Sequence, residues 1–360
     1  MENIEVISIR PPKHTLAKID IRALTLMQLQ EHFIALGEAK FRAKQVYEWL
    51  WKKGAHSIDE MTNLSLGLRK VLSENFVINA IQNDFQQKSE DGTIKTRFRL
   101  HDGHLIESVL IPVPADNRFT VCVSSQVGCS LTCSFCATGR MVRKRNLDAA
   151  EIYDQVLLVN KQAMEHFGHP LTNIVYMGMG EPLLAYREVM GSIEKITSPE
   201  GLGMAAWRIT VSTAGIAKMI KKLADDEVRF NLAISLHAAD DEKRNTIMPI
   251  NESNNLEALT ESLQYFQQKT NNSITFEYIA FQNFNEGVED ANNLLRLCRK
   301  VSAKVNIIEY NPIDNAPFEK AAEHRINDFA QYLRKNDVGC TVRRSRGRDI
   351  DAACGQLANK

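Results

Sequence analysis

Three of the seven cysteines in this 360-residue chain fall in one stretch, Gly128-Cys129-Ser-Leu-Thr-Cys133-Ser-Phe-Cys136-Ala-Thr-Gly139, with the spacing C-x3-C-x2-C. Thiolates hold iron–sulfur clusters, and a four-iron cluster ordinarily takes four of them. Three neighbouring cysteines would leave one iron open to an outside ligand, much as a catalytic zinc keeps an open position. A structural zinc site needs four protein ligands, often two C-x2-C pairs or a pair of histidines. No second pair exists in this sequence, and the loop contains no histidine. The residues at Cys129, Cys133 and Cys136 therefore point to an iron–sulfur cluster with one open iron. Cys122 lies seven residues upstream between two valines, where a thiol most simply packs. Cys354 lies six residues from the last one, in Asp349-Ile-Asp351-Ala-Ala-Cys354-Gly-Gln-Leu. Little core is expected among such small residues, and a mobile tail carrying one thiol can reach into a site. Cys298 and Cys340 read as core or strand cysteines.

The scaffold that must place these groups has the composition of an ordinary globular protein. With 44% apolar and 24% charged residues, it matches neither a disordered nor a membrane chain. The net charge of +0 argues mildly against a nucleic-acid partner. Local basic runs exist nonetheless, RMVRKR over Arg140–Arg145 and RRSRGR over Arg343–Arg348. The opening MENIEVISIRPPKH is not of signal-peptide type, and no window approaches the roughly 18 apolar residues of a membrane span. The chain is thus expected in the cytoplasm, where seven cysteines do not form a disulfide framework.

Helical periodicity predicts three short helices between Leu24 and Phe76, with Gly37 as a stop. They form a helical accessory domain over 1–80, whose Lys40, Arg42, Lys44, Lys52 and Lys53 suit either RNA or a wet surface. Thr93–Leu100 and Leu105–Ile111, separated by a turn signal, predict a β-hairpin link over 81–115. Strand and helix signals then alternate. Strands are expected at Phe119–Val123, Ile174–Met177, Ile209–Ser212, Phe230–Leu236, Ile274–Ile279, Val305–Glu309 and Thr341–Arg343. Such repeats give parallel strands with crossover helices, an α/β fold. Six full units predict a partial (βα)6 barrel of TIM type over 116–345, with a doubly wound sheet as the alternative. Residues 346–360 follow as a C-terminal tail. In either architecture, functional groups gather beyond the C-terminal strand ends.

The cysteine loop resembles that of the radical S-adenosylmethionine (SAM) superfamily. There the open iron of a [4Fe-4S] cluster chelates the methionine end of SAM, and a 5′-deoxyadenosyl radical forms. The resemblance suggests a SAM pocket at the strand ends. Its lining would include Gly180 and Glu181 of Met177-Gly-Met-Gly180-Glu181-Pro182, together with Ser212, Ser235, Leu236, His237 and Asn311. Glu181 would accept a hydrogen bond from the SAM ammonium.

The whole pattern resembles the RlmN family of dual-specificity RNA adenine C2 methyltransferases. The matching pieces are CVSSQVGCSLTCSFCATG, GMGEPLL, RITVSTAG, SLHA, MPIN, YNP and RGRDIDAACGQL. The tail departs at Arg348, where the family more often carries an acid. The resemblance implies two SAM molecules per turnover. One methylates Cys354, and the other yields the radical that removes a hydrogen from that methyl group. The carbon radical adds to C2 of adenine; Cys122 then attacks the Cys354 sulfur, leaving a transient disulfide. Glu107 matches the position of the family's proton acceptor, although a single Glu on an alternating strand reads more simply as solvent-facing. The implied substrates are 23S rRNA near the peptidyl transferase centre and tRNA 3′ of the anticodon. A separate electron donor is required, and the chain is expected to be a monomer. Three rival readings differ in chemistry: a Cfr-type C8 methyltransferase, a non-enzymatic RNA-binding factor with a structural metal, and a radical SAM enzyme acting on a small molecule.

Overall fold

The computed structural model describes residues 18–360; the first seventeen residues of the expected 1–80 domain lie outside them. The chain divides after Asn79 into two compact units. The first holds α1 (Leu26–Ala35), α2 (Lys40–Trp51) and α3 (Leu66–Asn75), with β1 (Ile19–Asp20) and β2 (Phe76–Val77) as a two-residue parallel pair. Thr25 and Gln28 form a capping box that starts α1, each side chain accepting the other residue's backbone N–H. Leu29, Phe33, Val46, Leu50, Trp51, Leu68 and Leu72 are buried and make its core. The stripe read from α1 is only half used, because Met27 and Ile34 are exposed. Lys40, Lys44, Lys52 and Lys53 are exposed as well.

The second unit is built on one ten-stranded sheet. The strands β3 (Gln82–Lys88), β4 (Ile94–Arg99), β5 (Leu105–Val113) and β6 (Arg118–Cys122) form an antiparallel meander. The expected hairpin is present as β4 and β5, but not as a link. It belongs to the main sheet and is extended on its far side by β3. That strand escapes the sequence reading because Gln82–Lys88 (QNDFQQK) is polar except for an exposed Phe85, and an edge strand exposed on both faces shows no alternation.

From β6 onward, each strand is parallel to the next. These are β9 (Asn173–Tyr176), β10 (Ile209–Thr213), β11 (Asn231–Ser235), β12 (Ile274–Ala280), β13 (Ala303–Glu309) and β14 (Cys340–Arg343). Strand order follows chain order without reversal. A doubly wound sheet reverses at its centre, so that alternative is excluded. The winding is that of a barrel, and it stays open, with β14 at one end of the strand order and β3 at the other. The crossovers are α4 (Ala149–Phe167), α5 (Tyr186–Thr197), α6 (Ala217–Asp225), α8 (Leu256–Thr270), α9 (Val288–Lys300) and α10 (Glu323–Lys335), with a short extra helix, α7 (Asp241–Ile247), before α8. The β-branched and aromatic residues of β12 (ITFEYIA) and β13 (AKVNIIE) make these strands legible.

Candidate active site

The cysteine loop leaves the C-terminal end of β6. Its base is pinched by a two-residue antiparallel pair, β7 (Gln126–Val127) with β8 (Arg145–Asn146). Phe135, between two of the cysteines, plugs into the apolar top of the barrel with Ile279, Phe281, Ile308 and Met248. It meets the His237 ring edge-on at 4.7 Å. Ser134 donates its N–H to the Ile247 carbonyl at 3.1 Å. Gly139 lets the loop fold back on itself: a Cβ there would lie 2.9 Å from the Cys133 carbonyl oxygen.

Cys129, Cys133 and Cys136 line one cavity, open at its mouth. Burial is the main force raising all three thiols. Cys129 is pushed up to about 11, helped by Cys136 and Glu181, and Cys133 is raised further by its two cysteine neighbours. Three thiolates facing one space repel each other unless a cationic centre lies between them, so the donor set fits a metal cluster. Among the described residues, no group of three His, Cys, Asp or Glu side chains is placed to hold a single metal ion. An iron–sulfur cluster takes its thiolates on separate irons.

The same cavity gathers most of the other expected residues: Gly180, Glu181, Ser212, Ser235, His237 and Cys354. Gly180 has φ +100°, and a Cβ on it would lie 2.5 Å from the Gln126 Cβ, so only glycine fits. The glycine-rich turn is laced to the segment after β6. Met179 donates to Ser124 Oγ at 2.9 Å, and Glu181 N–H to Gln126 Oε1 at 2.8 Å. Glu181 accepts the N–H groups of Leu183 (3.0 Å) and Ala214 (2.8 Å), and the Thr213 side chain also bonds its carboxyl. Burial pushes its carboxyl up. The Ser212 and Ser235 hydroxyls lie 3.3 Å apart. His237 is held at φ +57°, accepts the Ile279 N–H on Nδ1 at 3.1 Å, and is depressed to about 3 by burial and by Arg244.

Four expected residues lie outside the cavity lining. Leu236 is buried in the wall, its N–H bonded to the Glu277 carbonyl. Asn311 is also buried and donates from Nδ2 to the Cys354 carbonyl at 3.2 Å. Cys122 is buried near enough to Cys354 that the second thiol raises the first. Glu107 is fully buried, which corrects the solvent-facing reading of its strand. Its side chain is on the core-facing side of β5 and pairs with Lys95 at 3.5 Å.

The tail is docked rather than loose, against the expectation that little core forms there. Ala352, Ala353 and Leu357 are buried. Ala137 N–H meets the Gly355 carbonyl at 2.7 Å, and Thr138 Oγ1 the Leu357 carbonyl at 2.6 Å, tying the tail to the cysteine loop. Cys354 itself remains exposed toward the cavity. The basic runs are largely engaged within the protein. Arg344 and Arg348 pair with buried Glu309, Arg145 with Glu151 and Asp102, and Arg140 with the carbonyls of Asp314 and Asn315.

Sequence reading missed Glu277, Arg343 and Arg244. Glu277 and Arg343 line the cavity and face each other at 3.9 Å, and Glu277 Oε2 accepts no hydrogen bond among the described residues; the same is true of the buried Asn311 Oδ1. A lone acid inside ITFEYIA was the available signal. Arg244 is fully buried, with its guanidinium on Asn251 Oδ1 and on the carbonyls of Ala214 (2.6 Å), Leu236 (3.1 Å) and Ser235 (3.4 Å).

Comparison with known proteins accords with this arrangement. Residues 19–78 match the model of the ribosomal RNA large subunit methyltransferase N-terminal domain, and residues 123–298 that of the radical SAM superfamily. The chain is 57% identical over 343 residues to a probable dual-specificity RNA methyltransferase RlmN of Christiangramia forsetii, covering 95% of this chain and 97% of the relative. It is also 57% identical over 340 residues to the protein of that name from Cytophaga hutchinsonii, covering 94% and 93%. The crystal structure of a radical SAM methyltransferase from Sphaerobacter thermophilus superimposes with a TM-score of 0.89 at 40% identity, covering 95% of this chain and all of that one. At this identity and coverage, the chain belongs to the RlmN family of radical SAM RNA methyltransferases.

Proposed function

We propose that this enzyme methylates C2 of adenosine in 23S rRNA, at the peptidyl transferase centre, and in tRNA 3′ of the anticodon. Cys354 would carry the methyl group and Cys122 would resolve the adduct. One observation carries the reading: the tail presents the Cys354 thiol to the cavity that Cys129, Cys133 and Cys136 line. When bound, a [4Fe-4S] cluster and two molecules of SAM supply the methyl group and the one-electron chemistry. Cys129, Cys133 and Cys136 would hold the cluster. Gly180, Glu181, Ser212, Ser235, Leu236, His237 and Asn311 would form the SAM site, and Glu277 Oε2, which accepts no hydrogen bond and faces Arg343 at 3.9 Å, leaves an acceptor at the cavity wall.

The protein's own contribution is placement. The Ala137–Gly355 hydrogen bond sets the spacing between the carrier thiol and the cysteine loop. Asn311 holds the Cys354 carbonyl, which fixes the backbone from which the thiol projects. Burial keeps the Cys122 thiol protonated, and the Cys354 sulfur near it raises it further. In the resolving step, the Cys122 sulfur bonds to the Cys354 sulfur as the bond from that sulfur to the methylene on the base breaks; the electron pair of that bond and the Cys122 proton pass to the methylene, and the methylated base leaves. A reducing cytoplasm and a separate electron donor return both cysteines to thiols. Loop bases that can be splayed out suit a deep cavity of this kind. The reading takes the chain as a monomer.

The test is anaerobic reconstitution with iron and sulfide, then incubation with SAM, reductant and unmodified 23S rRNA fragment or tRNA, followed by nucleoside mass spectrometry. The expected product is 2-methyladenosine, absent with Cys129→Ala and with Cys354→Ala. Formation of 8-methyladenosine would move the enzyme to Cfr-type regiochemistry. Full methylation by Cys354→Ala would remove the thiol mechanism.

A further inference from the structure

Glu107 does not line the cavity; its carboxylate is committed elsewhere. Oε2 accepts the backbone N–H groups of both Ala358 (2.9 Å) and Asn359 (3.0 Å), four and five residues beyond Cys354. Oε1 faces the Lys95 ammonium at 3.5 Å, and both side chains are almost fully buried. The same stretch is held by Asn359 Nδ2 on the Leu105 carbonyl (2.9 Å) and by Arg97 on the Asn359 carbonyl (3.2 Å). Two consecutive N–H groups on one carboxylate oxygen make a strong, directional dock.

We infer that Glu107 is a positioning residue, a latch that holds the last residues of the chain so that Cys354 faces the cysteine loop, and that it acts on neither substrate nor base. Its route to the chemistry is short: the latched residues follow Leu357 and Gly355, whose carbonyls are tied to Thr138 and Ala137 of the cysteine loop. Releasing Ala358 and Asn359 frees the far end of the segment that carries the thiol. The role rests on Cys354 being the methyl carrier, but the latch can be read independently of it.

The two possible roles of Glu107 part company on one substitution. In Glu107→Gln, the amide oxygen can accept the same two N–H groups, whereas an amide is no proton acceptor. Glu107→Ala removes both functions. The reconstituted enzyme and both variants would be compared for 2-methyladenosine formation and for the rate at which carboxypeptidase Y trims the tail. Thermal melts would confirm that each variant is folded. Glu107→Ala is expected to lose roughly 100-fold in methylation and to be trimmed at least about tenfold faster, whereas Glu107→Gln stays within about fivefold of wild type in both. The latch stands if methylation and tail protection change together across the two variants. It falls if Glu107→Gln abolishes methylation while the tail stays protected, or if Glu107→Ala leaves trimming unchanged. Cys354→Ala, trimmed like wild type yet inactive, separates a failed latch from a wrongly assigned carrier thiol.

Discussion

Replacing His237 by Asn should flatten the acid side of the stability profile by an amount that follows from one buried ring. His237 is 4% exposed, and burial with the nearby Arg244 charge depresses it to about 3 in the folded chain. An unfolded histidine titrates near 6.5. As pH falls below that value, the unfolded chain binds a proton that the folded chain refuses. The stability that His237 contributes is therefore present above about pH 6.5 and lost progressively toward pH 3. Between about pH 7 and about pH 5 the loss comes to about 2 kcal/mol, and it is insensitive to the folded value, which lies well below that window. Glu181 and Glu277 act with the opposite sign. Burial raises both, so their contribution is present at low pH and lost as pH rises. The wild-type profile alone mixes these terms, and the difference between wild type and variant separates them. Asn suits the positive φ at this position, and its amide oxygen can take over the Ile279 N–H. The assay is urea unfolding of the cluster-free protein at several pH values in this window. The reasoning is refuted if wild type and Asn variant lose stability in parallel, within about 0.5 kcal/mol.

Arg244→Met should cost about 3–5 kcal/mol, because it strands four acceptors around a guanidinium buried at the ends of β10 and β11; a shift in the urea midpoint worth under about 1 kcal/mol would count against it. Cluster loading should weaken toward acid, since Cys129 titrates near 11 and Cys133 and Cys136 are raised as well. Iron uptake should fall by about tenfold per pH unit for each proton displaced, and Cys133→Ala should lose the iron–sulfur absorption with its secondary structure intact.

Much of this was legible before any coordinates because the signals were local. The C-x3-C-x2-C spacing and the β-branched and aromatic residues of β12 and β13 each lie within a dozen residues. What escaped the sequence was non-local or chemically quiet. β3 is polar because both its faces are wet. Ser124, Ser125 and Gln126 lie at the end of β6 as plain polar residues, yet they anchor the turn after β9 through hydrogen bonds across more than fifty positions. The RRSRGR run stood out in the sequence only as local basic charge in a neutral chain. Its Arg344 and Arg348 neutralise Glu309, a carboxylate that nothing in the sequence marks as buried.

The tail gains a structural meaning from the open barrel. It departs from β14, at one end of the strand order, where Arg344 and Arg348 grip Glu309 of β13. It is next held by the β3–β4 turn, with Asp349 on Ser89 Oγ at 2.6 Å and Gly347 N–H on Asp91 at 3.0 Å, and finally by Glu107 of β5. Hydrogen bonds from one segment thus join strands near opposite ends of a sheet that its own ladders leave open. A closed eight-stranded barrel fills its interior with side chains. This one has room for a cavity, and the segment that crosses the opening delivers Cys354 to it. Incomplete closure and the placing of Cys354 by the segment after β14 are therefore one arrangement. A chain truncated after Arg346 should keep its parallel sheet by circular dichroism and lose both Cys354 and the contacts that span the gap. Retained protection of β3 and β14 amides from hydrogen exchange in that truncation would show that the tail does not close the opening.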